Sequence, residues 1–345
     1  MLNIGLNSKI QLNLFFNRNQ FANMIKPLLK YFNIFFIILF ISCADDQVKD
    51  EIKQIDVDLE VKRFDRAFAE AKPKDLPKLK SEYPFLFPTQ FHDSIWIAKM
   101  KDTLQMEIQE EVFKVFPDFE KQEQEMELFY KHLKYYFPEF NIPTVVTLAE
   151  EVDYKNKVIL ANDYLLLSLD NYLGKEHRFY EGIYTYVAEL QDKEFLLADI
   201  AETYAREVNH KKQGRDFLAT MIYYGKTRYI MQELSPFLEP HLHLHYTAEE
   251  LDWAQRNETQ IWEYFVEKDL LYSTDQNLND RFINLGPYSK FYLELDSESP
   301  PRLGQYIGLR IVQDFMQKNP NVDFEELLKL KEENVFKQSA YKPGK

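Results

Sequence analysis

The sequence predicts a mainly α-helical fold with a small β element, an α+β domain. Apolar residues recur at helical spacing through most of the chain, whereas strand-like alternation is confined to a few short stretches. Twenty-two tyrosines and 28 phenylalanines suit a large helical core, and only nine glycines occur in 345 residues. So few glycines argue against a glycine-rich nucleotide-binding fold. We find no internal repeat and no domain boundary after residue 53, so we predict that residues 54–345 form one domain.

The N-terminal segment has the pattern of a lipoprotein signal peptide over residues 1–42. A short apolar run at residues 31–41 follows Lys26 and Lys30, and it is shorter than the ~20 apolar residues that a bilayer span needs. The run leads to Ser42 and then to Cys43, the only cysteine. In a bacterial lipoprotein this thiol takes a diacylglyceryl chain and the freed amine is acylated, for example with palmitate. From this pattern we predict lipidation at Cys43, and two acyl chains would anchor the protein stably. A plain signal or membrane anchor is the alternative, and Met24 is an alternative start.

The chain after the signal peptide is strongly acidic. The first 42 residues carry four Lys/Arg and no Asp/Glu, so the rest has a formal charge of −18, against −14 for the whole sequence. Such a body does not attract nucleic acid or anionic lipid headgroups, so we expect membrane contact through the lipid and no nucleic-acid partner. Residues 43–53 are acidic and without periodicity, which predicts a tether. With Cys43 lipidated, disulfides and thiolate chemistry are excluded from the domain.

Hydrophobic periodicity places the predicted elements along the chain. Alternation at residues 55–61 predicts a strand, and the proline-broken, aromatic residues 81–91 predict an irregular segment. Short strands are predicted at residues 145–146 and 158–160 around a polar turn, and a long loop at residues 278–299. Helices are predicted at residues 64–70, 95–115, 123–136, 165–173, 179–190, 194–208, 217–234, 247–268 and 302–318, with a last helix opening at Asp323.

The predicted helix over residues 194–208 has a glutamate where a zinc site would need histidines as well. A zinc peptidase helix reads H-E-x-x-H, in which two histidines bind zinc and the glutamate acts as general base. Here Glu202 stands with Ala201 and Ala205 at the two ligand positions, and alanine cannot coordinate a metal. No G-x-S-x-G sequence and no phosphate-binding glycine loop is present. We therefore assign no catalytic residue and no cofactor.

The most metal-like run is His241-Leu242-His243-Leu244-His245. In an extended segment the three imidazoles of His241, His243 and His245 would share one face and could offer three nitrogens to zinc. The other interpretation is a loop after Pro240 whose leucines point inward. A joint zinc site would require these histidines to lie close to Glu202.

Two further patterns are interpreted as structural. Gly304 and Gly308 form a G-x-x-x-G in the predicted helix 302–318, and we expect them to allow close packing of a neighbouring element. Four carboxylates that lie near one another in sequence are expected at the surface, namely Asp163, Asp170, Glu176 and Glu181.

Several stretches together resemble the gliding motility lipoprotein GldB of the Bacteroidota, over essentially the whole chain after the signal peptide. They are Ile55-Asp56-Val57 running to Arg63-Phe64-Asp65, Tyr83-Pro84-Phe85-Leu86-Phe87-Pro88, Val115-Phe116-Pro117-Asp118-Phe119, Tyr135-Tyr136-Phe137-Pro138-Glu139-Phe140, the run from Leu169 to Tyr180, and the run from Pro301 to Gly308.

The resemblance implies an envelope lipoprotein that is required for gliding, which in that group is tied to type IX secretion. It also implies a degenerate zincin-like, metalloprotease-like fold in which Ala201, Glu202 and Ala205 occupy the former zinc motif. We therefore expect a non-catalytic protein that binds other envelope proteins of the motility and secretion machinery. The alternative is an envelope metallopeptidase with a rearranged zinc site at His241, His243 or His245. The expected location is the outer membrane facing the periplasm, with the inner membrane as the alternative.

Overall fold

This computed structural model describes residues 50–210, 212, 214–294 and 296–344. Its small sheet combines parallel and antiparallel pairing. The strands are β1 (Val61–Lys62), β2 (Thr144–Leu148), β3 (Val158–Ala161) and β4 (Tyr164–Ser168). Their order is β1-β2-β4-β3. β2 is parallel to both β1 and β4, and β3 is antiparallel to β4. The sheet lies in the compact unit that begins at residue 56.

The central strand β4 replaces a predicted helix. The apolar residues 165–173 were expected to be helical, but Tyr164–Ser168 pairs with strands on both sides, and Leu169–Asn171 forms a 3₁₀ turn. The side chains of Leu165 and Leu167 are fully buried. A strand that is covered on both faces shows a continuous apolar run instead of alternation, so periodicity did not identify it. β4 also separates β2 from β3, so the strands predicted around the polar turn are not paired with each other.

After β1, the first half of the described chain is mainly helical. The helices are α1 (Phe64–Glu70), α2 (Leu76–Glu82), α3 (Asp93–Lys99), α4 (Thr103–Val115) and α5 (Glu120–Tyr136). The single helix predicted over residues 95–115 is wrong, because it breaks between α3 and α4. Asp102 caps the second part by accepting a hydrogen bond from the Gln105 backbone N–H at 3.0 Å. The strand predicted over residues 55–61 is reduced to the two residues of β1.

The second half is built from helices. They are α6 (Thr185–Ala188), α7 (Leu196–Val208), α8 (Phe217–Leu234), α9 (Ala248–Arg256), α10 (Glu258–Glu267), α11 (Asn277–Phe282), α12 (Leu303–Lys318), α13 (Phe324–Lys329) and α14 (Glu332–Ser339). The capping box at Thr247 and Glu250 is confirmed, although Asn257 divides its helix into α9 and α10. The helix predicted over residues 179–190 is mostly wrong, since only α6 and the end of a 3₁₀ turn at Arg178–Tyr180 are helical there. The expected mainly α fold with a small β element is confirmed.

Helices α8 and α12 form the tightest crossing of the core. A Cβ atom added to Gly308 would lie 1.8 Å from the Met221 carbonyl oxygen, and one added to Gly225 would lie 2.2 Å from the Gly308 carbonyl carbon. The two backbones therefore approach as closely as glycine allows. This confirms that the G-x-x-x-G pattern serves close packing. The crossing fixes α8 relative to the start of α12, and both elements contribute to the site described next.

Candidate functional site

A buried cluster of ionisable side chains lies where α7, α8 and the turn before α9 meet. Helix α7 presents Asp199 and Glu202, which are three residues apart and therefore lie on one face of the helix. Each of these two side chains is only 13 % exposed. Arg228 enters from the apolar helix α8 with a side chain that is 1 % exposed. His245 follows the 3₁₀ turn Leu242–Leu244 and has a left-handed backbone with φ of 52°.

His245 connects the two carboxylates. Its Nε2 lies 2.8 Å from Asp199 Oδ1, and its Nδ1 lies 3.1 Å from Arg228 Nη1. Arginine can only donate hydrogen bonds, so Nδ1 must be the acceptor and Nε2 must carry the proton that is donated to Asp199. Burial lowers the pKa of His245, against the opposing effects of Glu202 and Asp199, which agrees with a neutral ring. The 3.4 Å contact between Nδ1 and Glu202 Oε2 is then a contact of two acceptors that share Arg228.

Glu202 is held by two guanidinium groups. Arg228 donates from Nη1 to Oε2 at 3.0 Å and from Nη2 to Oε1 at 3.3 Å. Arg206, one turn further along α7, donates from Nε to Oε1 at 2.9 Å. Burial raises the pKa of Glu202, but the charges of Arg228 and Arg206 outweigh it and hold the pKa well below its usual value. Glu202 is therefore a permanently charged, fully paired carboxylate at neutral pH.

Asp199 is paired in the same way on the other side of the imidazole. Its Oδ2 atom accepts from the Lys157 ammonium at 2.6 Å and from the Tyr172 hydroxyl at 2.8 Å. Burial disfavours the ionised form, but Lys157 and His245 more than compensate, and the pKa of Asp199 falls to about 2. A carboxylate with so low a pKa is a poor general base.

The former zinc positions predicted from the resemblance face away from this cluster. Ala201 and Ala205 are fully buried and belong to the hydrophobic core, whereas Glu202 faces the charged groups. The side chains that the H-E-x-x-H comparison would align as ligands are therefore replaced by core packing. The likeness to a zincin fold stays a prediction from sequence.

The three predicted histidines do not share one face. His243 is buried, and its Nε2 lies 3.0 Å from the Ser235 carbonyl oxygen, while His241 is half-buried. Only His245 reaches Glu202. Its two nitrogens contact different carboxylates, so Asp199 and Glu202 do not converge with it on one point. Across the part of the chain that the structure describes, no group of three or more His, Cys, Asp or Glu side chains has the geometry to hold a metal ion.

Sequence analysis missed Asp199, Lys157, Arg228 and Arg302 as site residues. Two signals were available, namely the three-residue spacing of Asp199 and Glu202 and the presence of Arg228 in the middle of an apolar helix. A charge in an otherwise apolar helix has to find a partner. The identity of that partner required the fold, because Glu202, Arg228 and His245 lie on separate elements.

A cleft of about 380 Å³ opens beside the cluster. Asp199, Glu202, Arg206 and His245 line it, together with Lys157 directly before β3 and Arg302 directly before α12. Among the predicted site residues, Glu202 and His245 thus line a cleft. Cys43 lies outside the described residues, and no helix within them is long and apolar enough to span a bilayer.

A comparison with family models matches residues 45–343 to the family described as gliding motility protein GldB. The family is named as a lipoprotein family, which agrees with the membrane-anchored lipoprotein expected from Cys43. Searches of curated proteins and of solved structures found no match. The family match covers nearly the whole chain after Cys43, and it includes every residue of the cluster and the cleft. The chain therefore belongs to the GldB family of gliding motility proteins.

Proposed function

We propose that this protein is a non-catalytic, lipid-anchored component of the cell envelope. In this role it supports gliding motility and the type IX secretion machinery by binding other envelope proteins. The lipid on Cys43 holds it at the outer membrane, with the acidic domain in the periplasm. The inner membrane remains the alternative location.

The position of Arg228 is the observation that supports a non-catalytic role most directly. Its guanidinium contacts both Glu202 and His245 Nδ1 at 3.0–3.1 Å, and so it occupies the place that a cation bound by these two side chains would need. Its Nε also donates to Gln305 Oε1 at 2.8 Å. Displacing a buried guanidinium from several acceptors costs free energy, because its removal leaves uncompensated charge.

Site-specific cross-linking in gliding cells tests the binding role. A photoreactive amino acid at Lys155, which lines the cleft, is compared with one at Lys78, which is 77 % exposed on α2. We expect the Lys155 position to form a cross-link to an envelope protein that the Lys78 position does not form. Absence of a cross-link at the cleft, with normal gliding of the labelled strain, would speak against binding through this surface.

A zinc peptidase is the second candidate, because His245 lies within 3.4 Å of Glu202. Its test is elemental analysis of the purified full-length protein after mild dialysis. The non-catalytic proposal expects no stoichiometric zinc and a melting temperature that a chelator does not change, since a bound metal would stabilise the fold. About one zinc per chain, lost in His245→Ala, would establish the peptidase candidate instead.

A further inference from the structure

The cleft is rich in positive charge although the protein as a whole is acidic. Four cationic side chains line it, namely Lys155, Lys157, Arg206 and Arg302, together with the two carboxylates Asp199 and Glu202 and a neutral His245. Both carboxylates are already paired inside the cluster. The lining therefore carries an excess of two positive charges within a chain of formal charge −14. A concave site with this excess favours an anionic ligand.

Arg302 supplies an unused donor to this cleft. It precedes α12 with a left-handed backbone, φ of 59°, and its Nη1 nitrogen is buried without a hydrogen-bond acceptor in the described part of the chain. Burial and the charge of Arg228 lower its pKa to about 10, so it is charged at neutral pH. A buried donor without an acceptor destabilises the protein, and a charged donor does so more strongly. An anionic oxygen at this point would remove that destabilisation.

Gln191 supplies an unused acceptor to the same cleft. The Asn171 amide nitrogen donates a hydrogen bond to the Ser168 carbonyl. Asn171 Oδ1 is therefore the acceptor of the hydrogen bond that Gln191 Nε2 donates at 3.2 Å. This network fixes Gln191 Oε1 as a carbonyl oxygen, and it has no donor among the described residues although the side chain is fully buried. A ligand that satisfies both groups must carry an anion and also donate a hydrogen bond.

Size and apolar lining narrow the ligand further. Val158, Val187, Leu190 and Leu285 supply apolar surface to the cleft. Its volume of about 380 Å³ lies at the lower end of small-ligand sites, which span roughly 300–1,000 Å³. A planar carboxylate matches the fork of an arginine, and an amide N–H matches Gln191. The terminal residue of a peptide combines a carboxylate, an N–H group and a side chain in one small unit.

We propose that the cleft binds the free α-carboxylate of a peptide-like ligand with an apolar last side chain, Arg302 taking the carboxylate and Gln191 accepting its N–H. The source of this group is either a short free peptide or the C-terminus of a protein. The proposal deepens the binding role described above and rests on it, because a peptidase would cleave such a ligand. Lys157 and Arg206 remain paired with Asp199 and Glu202, and they add positive charge around the bound anion.

Calorimetric titration of the detergent-solubilised full-length protein tests the site. The probes are N-acetyl-leucine, its neutral amide N-acetyl-leucinamide, inorganic phosphate, and an acetylated hexapeptide that ends in leucine. We expect N-acetyl-leucine to bind at least about tenfold more tightly than the amide, because the charge-assisted pair with Arg302 is lost in the amide. Phosphate is expected to bind more weakly, since it has no N–H group or apolar side chain. Tighter binding of the hexapeptide would identify a protein C-terminus as the source, and equal or weaker binding would identify a small free ligand.

Arg302→Gln is the matching variant and Arg256→Gln the control, because Arg256 lies on the exposed side of α9. Arg302→Gln should raise the Kd of N-acetyl-leucine about tenfold and leave that of the amide unchanged, with Arg256→Gln behaving as wild type. Equal binding of acid and amide to the wild-type protein, or no binding of either, would overturn the carboxylate site without touching the non-catalytic role. Release of leucine from the hexapeptide would overturn the non-catalytic role and leave carboxylate recognition intact.

Discussion

Arg228 holds its guanidinium among acceptors from three parts of the fold. Glu202 belongs to α7, His245 to the turn before α9, and Gln305 to α12, and each lies within 3.3 Å of a guanidinium nitrogen. At 1 % exposure, the group cannot exchange these partners for water. One side chain therefore links three elements around the cleft. Its contribution to the free energy of unfolding is measured by replacing it.

Arg228→Met is expected to lower the free energy of unfolding by about 3–5 kcal/mol, because it leaves Glu202 buried with less compensation. The matched control is Arg256→Met, which removes an exposed arginine from its pair with Asp252 and should cost less than about 1 kcal/mol. Denaturant unfolding of the two variants provides the measurement. The double variant Arg228→Met with Glu202→Gln should recover part of the loss. A cost for Arg228→Met as small as for the control would contradict the linking role.

His243 gives the fold a dependence on pH that is separate from the cleft. Burial lowers its pKa from 6.5 to about 4 in the folded protein. Between these two values the unfolded chain binds more protons than the folded one, so the free energy of unfolding falls as the pH falls through this window. The full shift corresponds to a loss of up to about 3 kcal/mol.

His243→Gln should remove this contribution, because glutamine does not titrate and its Nε2 amide can still donate to the Ser235 carbonyl, as His243 Nε2 does. The stability difference between wild type and variant is therefore expected to shrink as the pH is lowered from 7.5 to 4. Urea unfolding at a series of pH values measures it. Parallel pH profiles for the two proteins would show that His243 does not take part.

At the scale of elements, the α8–α12 crossing places the two arginines that shape the site. α8 carries Arg228, and α12 begins directly after Arg302 and carries Gln305, which accepts from Arg228 at 2.8 Å. The closest approach of the two backbones is at Gly225 and Gly308. Separation of the helices would therefore move the donors and acceptors of the site as well as the core.

Gly308→Ala should destabilise the protein by about 1–3 kcal/mol or more, since the new methyl group would meet the Met221 carbonyl and force the helices apart. Gly286→Ala is the matched control, because its nearest neighbour would be an ordinary contact at 3.9 Å. Thermal unfolding of both variants provides the measurement, and only Gly308→Ala is expected to lower the melting temperature. Equal melting temperatures would mean that the crossing relaxes without cost.

Sequence patterns predicted best the helices whose ends carry a local signal, such as a capping residue or a following proline. Phe64–Glu70 and Phe217–Leu234 agree with the structure at both ends, and the Thr247 box marks the start of α9. Residues 165–168 were predicted wrongly because a doubly covered strand has no polar face. Asp170 was expected at the surface but is fully buried, with its carboxylate accepting from the Glu150 and Val152 backbone N–H groups. The spacing of acidic residues in the sequence does not indicate these backbone N–H partners.

At the scale of the whole molecule, the cleft shows why the site could be anticipated only in part. Glu202 and His245 were both noted in the sequence, but as parts of different motifs. Arg228 lies 17 positions from His245 and 26 from Glu202, so no local pattern joins them. Short-range spacing identifies residues on one helix, whereas this cluster depends on how three elements pack. The prediction of a signal peptide is different, because it depends only on a linear sequence pattern.

The lipid anchor is the whole-molecule feature on which the proposed role depends most. A −18 domain gains nothing from anionic headgroups, so the proposed membrane attachment depends on acyl chains at Cys43. Cys43→Ser should move the protein from the membrane to the soluble fraction, abolish labelling with a palmitate analogue and stop gliding, while its melting temperature stays that of wild type. Ser42→Ala, which keeps a small residue before the cleavage point, is the control and should behave as wild type. Membrane retention of the Cys43→Ser protein would mean that another segment provides the anchor, and gliding by soluble protein would mean that its partners are reached without one.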